Sequence, residues 1–383
     1  MPEADHVPSP GLLTIAREWG RIGCVGFGGP PAHIALLRRL CVKERGWLSA
    51  AEFEDGIAAT NLLPGPASTQ LAVFCAWRLH GPLGAIVGGL CFIVPGLLLI
   101  LVLAALFLAG DAPLWVRGAA AGAGSAVAAV AVHAAADLVP ASRGRARKRA
   151  RWYAYLLLGG VATVLIGPYL VLVLLACGIV EVAVRRRPAA ASRAVPVLLA
   201  APVAAAGGLG ALAWVALKVG ALSYGGGFVI IPLMQSEAVD HYHWMTSAEF
   251  TTAVALGQIT PGPVVQTVAV VGYAAAGAGG GLLAAAVAFA PSFVFVLFGG
   301  PRFDRLRRSA TVQAFLDGAG PAVIGAIGGS ALTLALALDH PWQFGVLAAA
   351  AVWLVLLRRG VVGTLLGAGV LGAAASIMGL PVA

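Results

Sequence analysis

The chain of 383 residues is 60% hydrophobic and only 11% charged, with a mean hydropathy of +0.92. This composition excludes an ordinary soluble globular protein and predicts a chain that lies mostly within a lipid bilayer. The net charge of +9 is carried by short basic clusters between apolar runs, which favours cytoplasmic loops beside anionic lipid over a nucleic-acid-binding surface.

The cysteines and the N-terminal residues give further information on the kind of membrane protein. The five cysteines show no C-x-x-C spacing, and most lie in or beside apolar stretches. Neither a disulfide framework nor a metal site is predicted, and no cofactor is expected. The first ten residues are acidic and contain prolines but no basic region, so they do not resemble a cleavable signal peptide. We therefore expect the first apolar segment to remain in the mature protein.

Apolar segments follow one another along the whole chain and leave no room for a soluble domain of useful size. They cover residues 11–40, 50–78, 82–109, 114–139, 152–166, 168–184, 196–238, 249–275, 277–299, 311–338, 342–357 and 361–380. The many glycines and alanines within them predict close interfaces between membrane helices.

A Pro-Gly-Pro element occurs twice, as Asn61-Leu-Leu-Pro64-Gly65-Pro66 and as Gln258-Ile-Thr-Pro261-Gly262-Pro263, at a separation of 197 residues. The same shift aligns other residues without a gap. The aligned pairs are Arg21 with Lys218, Gly23 with Gly220, Gly28-Gly29 with Gly225-Gly226, Trp47 with Trp244, and Glu52-Phe53 with Glu249-Phe250. The chain is therefore predicted to consist of two membrane repeats, residues 1–190 and 191–383.

A Pro-Gly break frees backbone groups that are tolerated at membrane depth only against protein or a water-filled cavity. Segments 50–78 and 249–275 are therefore either kinked spans or re-entrant hairpins of two half-helices. If the basic loop around Arg145 is cytoplasmic, only re-entrant hairpins put the other basic clusters on the same side, with Lys43 inside and Asp240 outside. Each repeat then has about five crossings plus one hairpin, and the odd number of crossings inverts the second copy. The predicted fold class is an all-α polytopic membrane protein with two inverted-topology repeats.

The breaks are predicted to place free helix N-termini near the middle of the membrane. Such an N-terminus carries about half a positive charge and, beside glycine, forms a ready anion site. The sequence therefore predicts that a small oxyanion binds between the two hairpins. The candidate anion-binding residues are Arg21, Gly28, Gly29, Pro30, Asn61, Pro64, Gly65, Pro66, Lys218, Gly225, Gly226, Gly227, Gln258, Pro261, Gly262 and Pro263.

Four charged residues at matched positions have two interpretations each. Arg21 and Lys218 would add full positive charges to the site. Alternatively, Arg21 extends to the membrane interface and Lys218 pairs with a structural carboxylate. Glu52 and Glu249 could couple transport to protons, but each follows a serine or threonine by three residues, and this spacing favours a capping box.

The stretch from Arg21 to Pro30, the Trp47-Leu-Ser-x-x-Glu-Phe segment and the first Pro-Gly-Pro element, each with a second copy, resemble the chromate ion transporter family in its two-repeat form. The resemblance spans essentially the whole chain. It implies transport of chromate, commonly as efflux that confers chromate resistance and is driven by the proton motive force, with sulfate as a structural analogue. It also implies a multi-pass protein of a bacterial inner (plasma) membrane.

The two copies differ at several positions, so we expect the halves to bind the anion unequally. Tyr224 stands in place of Phe27, Gly227 in place of Pro30, and Ile259-Thr260 in place of Leu62-Leu63. The predicted mechanism is alternating access, in which one repeat rocks against the other, and a channel-like pore is the alternative. A membrane-embedded enzyme would need a nucleophile with a base or a metal cluster, and no such motif occurs. The expected partners are the oxyanion and the bilayer, without nucleic acid, and the small-residue faces are compatible with a homodimer.

Overall fold

The computed structural model describes residues 10–60, 63, 65–108, 112–166, 170–185, 208–223, 230–299 and 309–381. Within those ranges the chain forms fourteen α-helices and no strands, which confirms the all-α prediction. The helices are α1 (Leu12–Val25), α2 (Pro30–Arg38), α3 (Ala50–Thr60), α4 (Ala67–Phe107), α5 (Leu114–Arg145), α6 (Arg149–Ile166), α7 (Leu170–Arg185), α8 (Leu209–Leu222), α9 (Ile230–Gln235), α10 (Ser247–Ile259), α11 (Thr267–Gly299), α12 (Ala310–Leu336), α13 (Pro341–Ala351) and α14 (Val361–Ile377).

Helices α4 and α11 are each two antiparallel arms joined by a sharp bend. The bends lie at Gly81, with φ of +60°, and at Gly277, with φ of +63°. Glycine adopts positive φ without the clash that a Cβ atom would cause, which explains where the chain turns. The arms of α11 are in close contact, since a Cβ on Gly272 would lie 2.5 Å from the carbonyl oxygen of Gly280. The predicted ends of segments 50–78 and 249–275 coincide with these bends within a few residues.

The two halves contain the same order of helices, α1–α7 and α8–α14. A shift of 197 moves Leu12–Val25 onto Leu209–Leu222, and it moves the π-helical segment Arg39–Glu44 onto Ser236–His241. The two glycine bends, however, are 196 residues apart. One residue is therefore missing from the second half near the Pro-Gly-Pro element. The inverted orientation of the second half stays a prediction, and the predicted boundary after residue 190 lies outside the described residues.

The halves pack into each other through small residues. Helix α5 of the first half packs against α13 and α14, whereas α12 of the second half packs against α6 and α7. A Cβ on Gly122 would lie 2.7 Å from the Cα of Gly372, and a Cβ on Gly160 would lie 3.2 Å from the carbonyl oxygen of Gly325. Small residues permit this close approach of membrane helices. The Gly- and Ala-rich runs therefore join the two halves.

Helix length separates spanning helices from short ones. Four helical stretches, counted through the bends of α4 and α11, are long and apolar enough to cross a bilayer: Ala67–Phe107, Leu114–Arg145, Val264–Gly299 and Ala310–Leu336. The first arm of α4, which ends at Leu79, is about 20 Å long, and α3 is about 16 Å long, both shorter than the roughly 30 Å hydrocarbon core. The chain is a multi-pass membrane protein, and the count of about five crossings per half stays a prediction.

Candidate functional site

Each Pro-Gly-Pro element lies between a short helix and the first arm of a long, bent helix. In the first half α3 ends at Thr60 and α4 begins at Ala67, and in the second half α10 and α11 flank the break. The central glycines adopt positive φ, +123° at Gly65 and +102° at Gly262. Because proline lacks an N–H group and these glycines leave helical geometry, neither helix continues through its break. The helix that follows each break begins with N–H groups that have no partner within that helix.

The glycine break of the first half contacts the Pro-Gly-Pro element of the second half. Gly28 and Gly29 have φ of +97° and +72°, and Pro30 begins α2, as predicted. The backbone N–H of Gly262 donates a hydrogen bond of 3.0 Å to the carbonyl oxygen of Gly26. The structure therefore brings together two sets of predicted site residues that are more than 200 residues apart in sequence.

A long arm from the opposite half encloses each break. The Oγ atom of Ser292, in α11, lies 3.5 Å from the position that a Cβ on Gly65 would take. The residue of α4 that matches Ser292 at a shift of 196 is Gly96, which lies beside the second Pro-Gly-Pro element and the side chain of Gln266. The Nε2 of Gln266 donates a hydrogen bond of 2.9 Å to the carbonyl oxygen of Ile93. Each site is therefore built from both halves.

A cavity of about 670 Å³ reaches the first Pro-Gly-Pro element. Its lining includes four residues of the break, Thr60, Leu63, Gly65 and Ala67, and four charged residues, Arg145, Arg147, Arg185 and Asp317. Arg185 forms an ion pair of 2.9 Å with Asp317. Because Arg185 also pairs with the buried carboxylate of Glu181 at 2.7 Å, the three cations of the lining face two carboxylates and leave one net positive charge. The N-terminus of α4 adds the positive end of its dipole. The cavity therefore attracts anions towards the break.

The two matched cations, Arg21 and Lys218, both form ion pairs. Arg21 lies 3.1 Å from Glu18, its side chain is 60% exposed, and Arg45 donates to the same carboxylate at 2.8 Å. Lys218 pairs with the buried carboxylate of Glu237. Neither cation lines the cavity beside the first break. The structure thus gives Lys218 the carboxylate partner of the alternative interpretation.

The hydrogen bonds of both capping boxes are formed at the starts of α3 and α10. Glu249 accepts from the N–H of Thr246 at 2.7 Å, and Thr246 accepts from the N–H of Glu249 at 3.2 Å. Glu52 and Ser49 make the same pair of bonds at 3.0 and 3.2 Å, and Arg78 also donates to Glu52. The hydrogen bond from the Ser49 backbone, aided by Arg78, lowers the pKa of the exposed Glu52 despite the opposing effect of partial burial. Glu52 is therefore ionised at neutral pH.

The structure describes some of the other predicted site residues and not the rest. Gln258 is the last residue but one of α10 and is buried, and its Nε2 has no hydrogen-bond partner in the described part of the chain. Pro66 and Pro263 are extended residues that directly precede the next helical turn. Asn61, Pro64, Gly225, Gly226 and Gly227 lie outside the described residues.

Two residues near the breaks were not singled out from the sequence. Ser292 and Gln266 lie beyond the deleted residue, so the 197-residue register does not align them with the first half. A shift of 196 would have matched Gln266 with Gln70 and Ser292 with Gly96. The signal was present but required a one-residue gap in the alignment of the two halves.

Known proteins resemble the chain over most of its length. The sequence model of one family, described as chromate transporter, matches residues 13–182 and 210–373. The chain is 32% identical over 338 residues to the chromate transport protein of Cupriavidus metallidurans, covering 86% of this chain and 84% of that protein. It is 31% identical over 352 residues to the chromate transport protein of Pseudomonas aeruginosa, covering 86% and 83%, and 28% identical over 341 residues to a probable chromate transport protein of Synechococcus elongatus, covering 86% of both. No solved structure matches the chain. The two matched blocks correspond to the two halves, which confirms the resemblance carried by the motifs.

Proposed function

We propose, since this chain belongs to the chromate transporter family, that it is a secondary transporter of a tetrahedral oxyanion and that chromate is its principal substrate. The names of its relatives in Cupriavidus metallidurans and Pseudomonas aeruginosa support chromate as the transported anion. The proposed direction is efflux across a bacterial inner membrane, driven by the proton motive force, with chromate resistance as the result. Sulfate has the same shape and charge and is the expected competitor.

The observation that carries this proposal is the positive cavity that ends at the first break. Chromate and sulfate accept hydrogen bonds and carry two negative charges, so they favour N–H groups at a helix N-terminus beside glycine. The cavity gives an anion access to Gly65 and Ala67, and the net positive charge of its lining raises the local anion concentration. A metal or cofactor is not required for this chemistry.

The proposed mechanism is alternating access between the two halves. Each break is enclosed by a long arm of the opposite half, so a rocking motion of one half changes both enclosures together. The Gly28-Gly29-Pro30 break and the two Pro-Gly-Pro elements remain the proposed binding segments. For Arg21 and Lys218, contact with the anion stays a prediction beside their ion pairs with carboxylates.

The test is flux of radiolabelled chromate and sulfate in proteoliposomes of the purified chain, with and without an imposed pH gradient. We expect gradient-dependent accumulation of chromate against its concentration difference and competition by sulfate. Flux that never exceeds equilibrium would favour a channel-like pore, and the absence of flux of either anion through folded protein would contradict the proposal.

A matched pair of variants tests the cavity itself. Arg147 lines the cavity, whereas Arg149, two residues away, does not and is exposed. We expect Arg147→Gln to raise the KM for chromate several-fold at low ionic strength and less at high salt, because salt screens electrostatic steering. Arg149→Gln should leave KM unchanged. Equal effects of the two changes would mean that overall charge, and not the cavity, determines uptake.

A further inference from the structure

We infer that Arg145 and Arg185 bind the transported oxyanion in the 670 Å³ cavity in exchange for the carboxylate of Asp317, and that this exchange loosens the contact between the two halves. The inference rests on the proposed function. It names binding residues that lie outside the segments in which the two halves of the sequence align.

The three side chains form an ion-pair contact across the halves. Arg145 lies in α5 and Arg185 in α7, both in the first half, whereas Asp317 lies in α12 of the second half. The Nη2 of Arg185 lies 2.9 Å from the Oδ2 of Asp317, and the Nε of Arg145 lies 3.7 Å from its Oδ1. All three residues line the cavity that reaches the first break. Two cations of one half therefore hold a carboxylate of the other half at the wall of the cavity.

The carboxylate of Asp317 supplies the contacts that a bound oxyanion would make. A guanidinium group binds the oxygens of a carboxylate and of a tetrahedral oxyanion with the same N–H donors. Chromate or sulfate therefore offers Arg145 and Arg185 the acceptors that they now receive from Asp317, with one more negative charge. The side chain of Arg145 is 57% exposed, so an anion that enters the cavity can contact it. Asp317 and the anion thus compete for the same two cations.

Glu181 keeps Arg185 in place while its other partner is exchanged. This carboxylate lies one turn earlier on α7, 2.7 Å from the Nε of Arg185, and is 5% exposed. Arg151 and Tyr155, in α6, each donate a hydrogen bond of 3.1 Å to it. These partners belong to the first half, so their contacts persist when the halves move apart. Among the described residues, Asp317 is the partner of Arg185 that comes from the second half.

A native thiol lies at the same contact between the halves. A Cβ on Gly318, the residue after Asp317, would collide with the carbonyl oxygen of Cys177 in α7. The side chain of Cys177 is buried. Because α7 and α12 are in such close contact here, their separation after Asp317 leaves Arg185 would expose Cys177. The reactivity of this thiol therefore reports on the contact.

The decisive variant is Asp317→Asn, with Asp240→Asn as the matched control. Both changes remove one negative charge, but Asp240 is exposed and does not line this cavity. We would measure equilibrium binding of radiolabelled sulfate and chromate to the purified full chain. We expect about tenfold tighter binding for Asp317→Asn, because the anion no longer competes with a carboxylate, and wild-type binding for Asp240→Asn. The gain should be lost in Arg185→Gln/Asp317→Asn, because the cation that binds the anion is then absent.

The second measurement uses the thiol of the unmodified chain. We expect sulfate to raise the rate at which a membrane-permeant maleimide modifies Cys177, followed by mass spectrometry of the peptide that contains this residue. In Asp317→Asn the rate should already be raised without sulfate. A purely structural ion pair would give neither tighter binding after its removal nor a response of Cys177 to sulfate.

The outcomes separate this inference from the proposed function. Three results would overturn the inference: unchanged or weaker binding in folded Asp317→Asn, a gain that persists without Arg185, or a Cys177 rate that is independent of sulfate. Wild-type flux would still uphold the proposed function in each case. Absence of both binding and flux in the wild type would overturn the proposed function as well.

Discussion

Glu52 and Glu249 begin matched helices, and their carboxylates already serve as caps. Glutamine fits the same capping box but carries no proton, so it separates the two interpretations of these residues. We expect the double variant Glu52→Gln/Glu249→Gln to keep pH-gradient-dependent flux, with less than about 1 kcal/mol of lost stability. The measurement is the chromate flux of the double variant in proteoliposomes with and without a pH gradient. Flux that no longer responds to the gradient would instead identify one of these carboxylates as a proton carrier.

The lowered pKa of Glu52 predicts that the stability difference between the wild type and the single variant Glu52→Gln depends on pH. A carboxylate with a lowered pKa contributes stability that is present above its ordinary pKa and is lost as the pH falls through the lowered value. We therefore expect the Tm difference between the wild type and Glu52→Gln to be constant near neutral pH, to shrink as the pH falls below about 4, and to disappear below the lowered pKa. A difference that persists at low pH would mean that the charge of Glu52 does not stabilise α3.

The ion pair of Lys218 and Glu237 is largely buried, with Lys218 21% exposed, whereas the matched cation Arg21 is 60% exposed. Removing one partner of a buried pair leaves an uncompensated charge and costs about 3–5 kcal/mol. We expect Lys218→Met to lower Tm strongly and Lys218→Met/Glu237→Gln to restore most of the loss. Arg21→Met should have little effect, because Arg45 also contacts Glu18. Thermal unfolding in detergent provides the measurement.

The double variant also tests the predicted contact between Lys218 and the anion. If Lys218 has only a structural role, folded Lys218→Met/Glu237→Gln should transport chromate. If it folds but no longer binds the anion, the predicted contact is supported. The sequence indicated that Lys218 needs a cavity or a partner, but it did not identify Glu237, because the residue that matches it in the first half is Leu40.

At the scale of the elements, the bend of α11 depends on a glycine contact between its two arms. A Cβ on Gly280 would collide with the carbonyl oxygen of Gly272, whereas a Cβ on Gly279 would meet no atom within 4 Å. We expect Gly280→Ala to destabilise the protein by about 1–3 kcal/mol through overpacking. Gly279→Ala should be neutral or slightly stabilising, because alanine has the higher helix propensity. Equal Tm values for the two variants would show that the arms separate without cost.

The helices were predicted well where the pattern is local. Proline and glycine mark the breaks at Gly65 and Gly262, and the ends of segments 50–78 and 249–275 fall at the observed bends. The missing residue in the second half was not found, because the aligned register stops at the Pro-Gly-Pro element. Consequently the pairing of Ser292 with Gly96 depended on the structure. Contacts between halves arise from packing over long sequence separations, which no local pattern records.

At the scale of the whole molecule, the two halves have the same order of helices, but the cavity reaches the break of the first half and not that of the second. Helices α5 and α12 each pack against the last two helices of the opposite half, so neither half is a separate lobe. The cavity at the first break is lined by Arg145, in the loop region predicted to be cytoplasmic, and by Arg185. An anion approaching from that side reaches the first break through this cavity, which residues of the second break do not line. This asymmetry is what alternating access requires of one of its end states.

The inverted orientation of the halves is open to a direct test at Lys43 and Asp240. These exposed residues correspond at the shift of 197 and lie in matching π-helical segments. An inverted repeat puts them on opposite sides of the membrane, with the lysine inside, as the positive-inside tendency favours. In a chain carrying Cys24→Ser, because Cys24 is exposed, we expect a membrane-impermeant thiol reagent to label Lys43→Cys only from the cytoplasmic side and Asp240→Cys only from the outside. Labelling of both from one side would contradict the inverted repeat, and with it the rocking motion that exchanges access between opposed hairpins.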